Sequence, residues 1–142
     1  MDPDRLMALP LFAGLSQKDR EAVARWADEV EVPEGKHLVD EGRFAYEFFV
    51  IEKGSASVVH GGAEVATLGP GDFFGEIGLL QTERRTASVV ARSPMRLIVI
   101  FAREFQRMAK EMPALADRVR AAMLERGRSL READREADRP SD

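Results

Sequence analysis

Hydrophobic and polar positions follow three successive patterns along the chain, and the first of them is helical. Ser16 stands before a polar stretch with Asp19 three residues on, which is the arrangement of a helix N-cap. Apolar residues then recur at helical spacing, so the sequence predicts a helix that runs on to the break at 33–35. An earlier apolar cluster, interrupted by Gly14, precedes Ser16. The apolar residues of the cluster are Leu6, Leu9, Leu11, Phe12 and Leu15, and those of the predicted helix are Val23, Trp26, Ala27 and Val30.

The middle of the chain carries short apolar runs separated by turn residues. Many short strands between regular turn signals predict a β-sandwich or β-roll. His60-Gly61-Gly62 lies between two such runs and is a good candidate for a hairpin. The predicted strands are centred on 37–39, 48–51, 56–59, 65–68, 73–74, 88–91 and 97–101.

The last third returns to helical spacing. Phe105, Met108 and Met112 share one face of a helix predicted from about Arg103, and Pro113 suits the first turn of a second helix. We therefore expect an α+β fold: an antiparallel, jelly-roll-like β-roll with an N-terminal helical segment and two C-terminal helices. The expected domain covers residues 1–126, and the charge-rich residues 127–142 are expected to form a helical extension or a disordered tail.

Composition narrows the classes of function. A chain of 142 residues with 44% hydrophobic and 32% charged residues is typical of one globular domain. The net charge of −4 argues against a protein built to bind nucleic acid. The chain has no cysteine, and His37 and His60 lack neighbours at metal-ligand spacing. We therefore expect no enzyme, no metal and no cofactor, and the absence of a signal peptide or long apolar run predicts a cytoplasmic location without a membrane span.

The stretch GEIGLLQTERRTASV, residues 75–89, concentrates the candidate chemistry. Gly75 allows close approach to the backbone, and Ile77 begins an apolar segment able to form one helical turn with free N–H groups. Arg84 and Arg85 offer donor forks that match phosphate oxygens. Glu76 would weaken a site for a simple anion, but an ionised carboxylate accepts hydrogen bonds from hydroxyl groups. The residue types together indicate a ribose phosphate, and they leave open whether it is cyclic.

This stretch resembles the phosphate-binding cassette of the cyclic nucleotide-binding domain, as found in bacterial cyclic-nucleotide-gated potassium channels and in the sensor half of catabolite activator proteins. LPLFAGLS at 9–16, EGRFAYEFFVIEKGSASV at 41–58 and LGPGDFFGE at 68–76 also resemble that family in order and spacing. The resemblance covers roughly residues 6–126. The resemblance implies a β-roll that binds a cyclic nucleotide. Because the sequence shows no recognition helix after the C-terminal helices, no direct contact to DNA is expected.

The resemblance also assigns roles to individual positions. Arg85 takes the place of the arginine that pairs with the cyclic phosphate, and Glu76 that of the acid that holds the ribose 2′-hydroxyl. Thr86 matches a position that contacts phosphate or base. Arg126 resembles, on a weaker motif, a helix residue that caps the purine. The backbone of the cassette completes the predicted ligand site through Gly75, Ile77, Gly78 and Ala87.

Two positions depart from the family pattern. Arg84 stands where proline is often found, and Tyr46 stands where an acid is common. Arg84 is accordingly interpreted as a solvated neighbour of Arg85. Tyr46 weakens the turn consensus of the roll and leaves the ligand site unaffected.

The function predicted from these motifs is a cyclic nucleotide sensor, with cAMP favoured over cGMP. Ligand binding would draw the C-terminal helices over the base and so signal to an effector protein or domain. The C-terminal helix could also join two copies into a homodimer. Two alternatives stay open at this point: a degenerate domain that has lost its ligand and serves as an interaction module, or the sensor half of a transcription regulator.

Overall fold

The computed structural model describes residues 1–42, 47–75, 87–118 and 121. A 3₁₀ helix at Pro3–Ala8 precedes helix α1 at Gln17–Trp26 and eight strands, and helix α2 at Ala102–Glu111 follows them. Residues 113–118 are helical as well, and we refer to them as the C-terminal helical segment. The strands are β1 Asp28–Val32, β2 His37–Val39, β3 Glu47–Lys53, β4 Ala56–His60, β5 Ala63–Leu68, β6 Phe73–Phe74, β7 Ser88–Ala91 and β8 Met95–Phe101.

The strands form two antiparallel sheets of four strands each. The order in sheet 1 is β1-β8-β3-β6, and the order in sheet 2 is β2-β7-β4-β5. Strands from the two ends of the roll therefore pair with each other: Asp28 in β1 lies opposite Val99 in β8. The predicted α+β fold with an antiparallel β-roll is confirmed.

Alternating residues of sheet 1 build two separate cores. Phe48 and Ile98 face the helices and pack with Phe105 and Met108 of α2, and the rings of Phe48 and Phe105 lie 4.8 Å apart. Their sequence neighbours point into the space between the sheets, where Phe49 packs in a second apolar cluster. Alternate side chains of β3 and β8 thus pack against the helices on one face of sheet 1 and against sheet 2 on the other.

The N-terminal helix begins where the sequence predicted and ends earlier. The hydroxyl of Ser16 accepts a hydrogen bond from the N–H of Asp19 at 3.1 Å, which confirms the N-cap. The prediction that the helix continues through Val30 to Pro33 was wrong, because α1 ends at Trp26 and Val30 belongs to strand β1. The alternation of Asp28–Val32 also fits a strand, and pairing with β8 satisfies its backbone.

The 3₁₀ helix is tied to sheet 1 by one arginine. The guanidinium of Arg5 donates to both carboxylate oxygens of Glu52 at 2.7 and 2.8 Å and also pairs with Glu29. Hydrogen bonding to Glu52, together with the charges of Glu52 and Glu29, raises the pKa of Arg5 above its ordinary value. Two strands, β1 and β3, are therefore linked to the N-terminal segment by a single side chain.

The hairpin predicted at His60-Gly61-Gly62 is confirmed. His60 pairs with Ala63 across the turn, and Gly61 and Gly62 have φ values of 61° and 82°. Two successive positive φ angles are typical of a type I′ turn, whose twist matches that of the flanking strands. Glycine adopts positive φ without strain, which accounts for glycine at both positions.

Within the residues described, the apolar face predicted for the C-terminal helices is buried. Met108, Met112 and Leu115 are buried in the same cluster as the inner residues of the 3₁₀ helix. The predicted base contact Arg126 and the expected tail at 127–142 lie outside the described residues. Of the helices in the described part of the chain, none is both long and apolar enough to cross a lipid bilayer.

Candidate functional site

The predicted cassette begins at the end of the shortest strand, β6. Phe74 faces the space between the sheets and stacks on Phe49, with ring centroids 4.8 Å apart and planes 12° from parallel. Phe73 faces the opposite way, 5.6 Å from the ring of Phe48. The next residue, Gly75, has φ of 95°, a conformation that strains residues with a side chain. Two aromatic contacts thus fix the direction in which the chain enters the cassette.

The turn before β6 holds this entry in place. The N–H of Gly71 donates to the carbonyl of Ile51 at 2.8 Å, and the N–H of Ile51 donates to the carbonyl of Asp72 at 2.9 Å. The carboxylate of Asp72 accepts from the N–H of Gly69 at 2.8 Å and so closes the turn. The glycines and the aspartate of this turn therefore serve backbone geometry.

The exit from the cassette is anchored by polar contacts. Ala87 is half-buried and leads directly into β7, which starts at Ser88. The hydroxyl of Ser88 accepts a hydrogen bond from the N–H of Glu41 at 2.8 Å. The carboxylate of Glu41 accepts from the N–H of Gly61 at 3.1 Å and lies 3.0 Å from Nδ1 of His60. One glutamate therefore joins the 40–42 turn, the β4–β5 hairpin and the start of β7.

Sequence reasoning did not identify Glu41, His60 or Ser88 as supports of the site. The contact between Glu41 and Ser88 joins residues 47 positions apart. No motif or residue spacing in the sequence predicts this contact. The resemblance includes residues 41–58 and assigns no role to Glu41.

The cassette connects the two sheets. Its entry strand β6 is the edge strand of sheet 1, and its exit strand β7 is a central strand of sheet 2. Of the predicted site residues, the structure describes Gly75 and Ala87, which stand at the two ends of this connection. The other predicted contacts lie outside the described residues, namely Glu76, Ile77, Gly78, Arg85, Thr86 and Arg126.

The space between the sheets is lined by apolar side chains. Its cluster contains Phe49, Phe74, Val89, Leu97 and Val99 among others. An ionised phosphate is costly to place against such a surface unless charged or polar partners accompany it. An anion bound next to this cluster would therefore need charged or polar partners from outside it.

One polar side chain is fully buried among the described residues, and it is already engaged. The hydroxyl of Ser57 accepts from Nε of Arg92 at 2.8 Å and hydrogen-bonds the carboxylate of Glu64. In the same part of the chain, no group of three His, Asp or Glu side chains is arranged to hold a metal ion. The buried polar side chain of the described roll is therefore already hydrogen-bonded within the protein.

A family model matches most of the strand region. The model is that of the cyclic nucleotide-binding domain, and it covers residues 29–112. The match begins in β1 and ends just after α2, so it includes both sheets and the whole cassette.

Curated proteins that are similar in sequence include a receptor and a kinase. The cyclic AMP receptor protein of Thermus thermophilus is 32% identical over 134 residues, which is 91% of this chain and 61% of the receptor. A cGMP-dependent protein kinase of Eimeria tenella is 36% identical over 84 residues, which is 59% of this chain and 8% of the kinase. The chain thus spans less than two thirds of the length of these relatives.

A solved structure of similar length shares the fold. It is a putative cyclic nucleotide-binding protein from Geobacter metallireducens, with a TM-score of 0.78 and 25% sequence identity. The alignment covers 89% of this chain and 98% of that protein.

Proposed function

Because the chain belongs to the cyclic nucleotide-binding domain family, we propose that it is a cyclic nucleotide sensor whose ligand binds at the cassette between Gly75 and Ala87. The observation that carries this proposal is the geometry around the cassette. The connecting segment leaves one sheet at a glycine of positive φ and enters the other at an anchored serine. Phe74, the residue before this glycine, is packed in the apolar core between the sheets, so the start of the segment has a fixed position.

In this proposal the charged part of the ligand is held by cassette residues. Arg85 pairs with the cyclic phosphate, because a guanidinium stays ionised and matches two phosphate oxygens. Glu76 accepts from the ribose 2′-hydroxyl. Thr86 adds a hydroxyl contact. Backbone groups of Gly75, Ile77, Gly78 and Ala87 line the ribose phosphate, and Arg126 covers the base.

Binding would act on the C-terminal helices. A ligand shifts a conformational equilibrium only if it interacts more favourably with one state than with the other. Arg126 follows the C-terminal helical segment in the sequence, so a base held by Arg126 would favour the closed arrangement. The moving segment would then create or release a surface for an effector protein or domain.

We propose cAMP as the preferred nucleotide, with cGMP as the competitor. The relative that spans 91% of the chain is named for cyclic AMP, and the one named as cGMP-dependent matches over a shorter region. Thr86 is compatible with either base, because a hydroxyl group can both donate and accept.

Calorimetric titration of the full chain with cAMP and with cGMP tests the proposal. We expect binding of both and a lower dissociation constant for cAMP. Arg85→Ala should weaken binding by about 2–5 kcal/mol, the cost of removing one partner of a desolvated charge pair. Arg84→Ala is the matched control, and it should change the affinity by less than about 1 kcal/mol.

Two outcomes would count against the proposal. Unchanged affinity in Arg85→Ala would remove the phosphate role from that residue. If millimolar cAMP and cGMP produce neither heat nor a thermal shift with the unmodified protein, the chain is instead a degenerate domain that acts as an interaction module.

A further inference from the structure

The turn at residues 9–14 lies between the C-terminal helical segment and the flank of the cassette. Within the turn, the N–H groups of Phe12 and Ala13 donate to the carbonyl of Leu9 at 3.0 Å. Its apolar side chains are buried with Met112 and Leu115. This turn is therefore packed against the C-terminal helical segment.

Arg118 joins the C-terminal helical segment to this turn. Its Nη1 donates to the carbonyl of Leu11 at 2.8 Å and to that of Pro10 at 3.4 Å. The guanidinium lies over Gly14 so closely that a methyl group at position 14 would overlap Nη2 of Arg118. A glycine at position 14 thus leaves the space in which this guanidinium sits.

The other side of the turn touches the segment that leads into the cassette. A Cβ atom at position 71 would lie 3.2 Å from Cδ of Pro10, so the proline ring packs directly against Gly71. The backbone of Gly71 and Asp72 is hydrogen-bonded to Ile51, and strand β6 follows immediately. A continuous series of contacts therefore runs from Arg118 through Pro10 to the entry of the cassette.

We propose that Arg118 is a positioning residue that couples the C-terminal helical segment to the cassette entry through the turn at 9–14. Its contacts restrict the positions open to the segment, so less conformational freedom is lost when the segment closes over a ligand. The effect on affinity rests on the proposed nucleotide-binding function, whereas the coupling itself is a property of the ligand-free protein.

Hydrogen exchange of the ligand-free full chain tests the coupling. In Arg118→Ala we expect faster exchange at the amides of Leu115 and Ala116, and also at Gly71 on the far side of the turn. Arg103→Ala is the matched control, because Arg103 is an exposed arginine on α2. Acceleration confined to the helical segment, with Gly71 unchanged, would overturn the proposal. This readout decides the coupling even if the protein binds no nucleotide.

Nucleotide affinity tests the consequence. Arg118→Ala should weaken cAMP binding by about 2- to 30-fold, the range for residues that modulate coupling without touching the ligand. Gly14→Ala should weaken it similarly by displacing the guanidinium, and the double variant should be no worse than the single ones. Arg118→Lys should recover part of the loss, since the charge remains and an ammonium group can still donate to a carbonyl. Unchanged or tighter binding in Arg118→Ala, or additive losses in the double variant, would refute the positioning role.

Discussion

Removing the ring of Phe74 should destabilise the protein more than any change at an exposed aromatic residue. Phe74 is 3% exposed, and its ring stacks on Phe49 in the apolar space between the sheets. Truncation to alanine removes the buried ring and leaves a cavity, for which the usual loss is about 3–5 kcal/mol of unfolding free energy. Phe74→Leu keeps most of the apolar volume and should cost about 1–1.5 kcal/mol.

The control is Phe101→Ala. Phe101 lies at the end of β8 in the same sheet and is 46% exposed, so its truncation should cost less than about 1 kcal/mol. Urea unfolding followed by the fluorescence of Trp26, the one tryptophan of the sequence, measures all three variants. A double-mutant cycle between Phe74→Leu and Phe49→Leu should return a coupling of about 0.5–1.5 kcal/mol from the stacked rings.

The reasoning would be refuted if Phe74→Ala lost less than about 1 kcal/mol, or no more than Phe101→Ala. In either case β6 would not be held by the ring stack, and the fixed entry to the cassette would need another cause.

Two further predictions concern the N-terminal region. Arg5→Ala should lower the free energy of unfolding by about 1–3 kcal/mol, because the Glu52 side chain is only 11% exposed and would lose a charged partner. Arg96→Ala should lower it by less than about 1 kcal/mol, because its partner Glu31 is 75% exposed. Equal losses in urea unfolding would show that burial of the carboxylate is irrelevant. Ser16→Ala should cost about 1 kcal/mol through loss of the N-cap of α1, and Ser16→Asp should restore it; equal stability of serine and alanine in thermal unfolding would contradict this.

The strands were the most predictable part of the fold. Turn residues bounded each apolar run, and local backbone preference at Gly61 and Gly62 specified a hairpin without knowledge of the rest of the chain. The error at Val30 has an equally physical origin. Asp28–Val32 fits both helical and strand spacing over so short a length, and pairing with β8, nearly 70 residues away, decided the outcome.

For the candidate site, sequence reasoning could make predictions only for residues that lie next to one another in the sequence. The glycines, carboxylate and arginines of the cassette are adjacent in sequence, so their residue types suggested a ribose phosphate. Glu41 and Arg118 act through contacts with segments far away, and Arg118 reaches Leu11 across 107 positions. Such contacts depend on the completed fold, which a pattern of neighbouring residues does not encode. The roles of Glu76, Arg85, Thr86 and Arg126 remain predictions.

The pairing of β1 with β8 has a consequence for how the protein acquires its fold. In sheet 1, β8 is the strand between β1 and β3, so both of those earlier strands lack their shared neighbour until residues 95–101 are available. Contacts between such distant residues slow folding, because a long loop must close before any of them forms. During synthesis, sheet 1 can therefore be completed only after β8 has emerged from the ribosome, whereas β6, at the entry of the cassette, pairs with β3 alone.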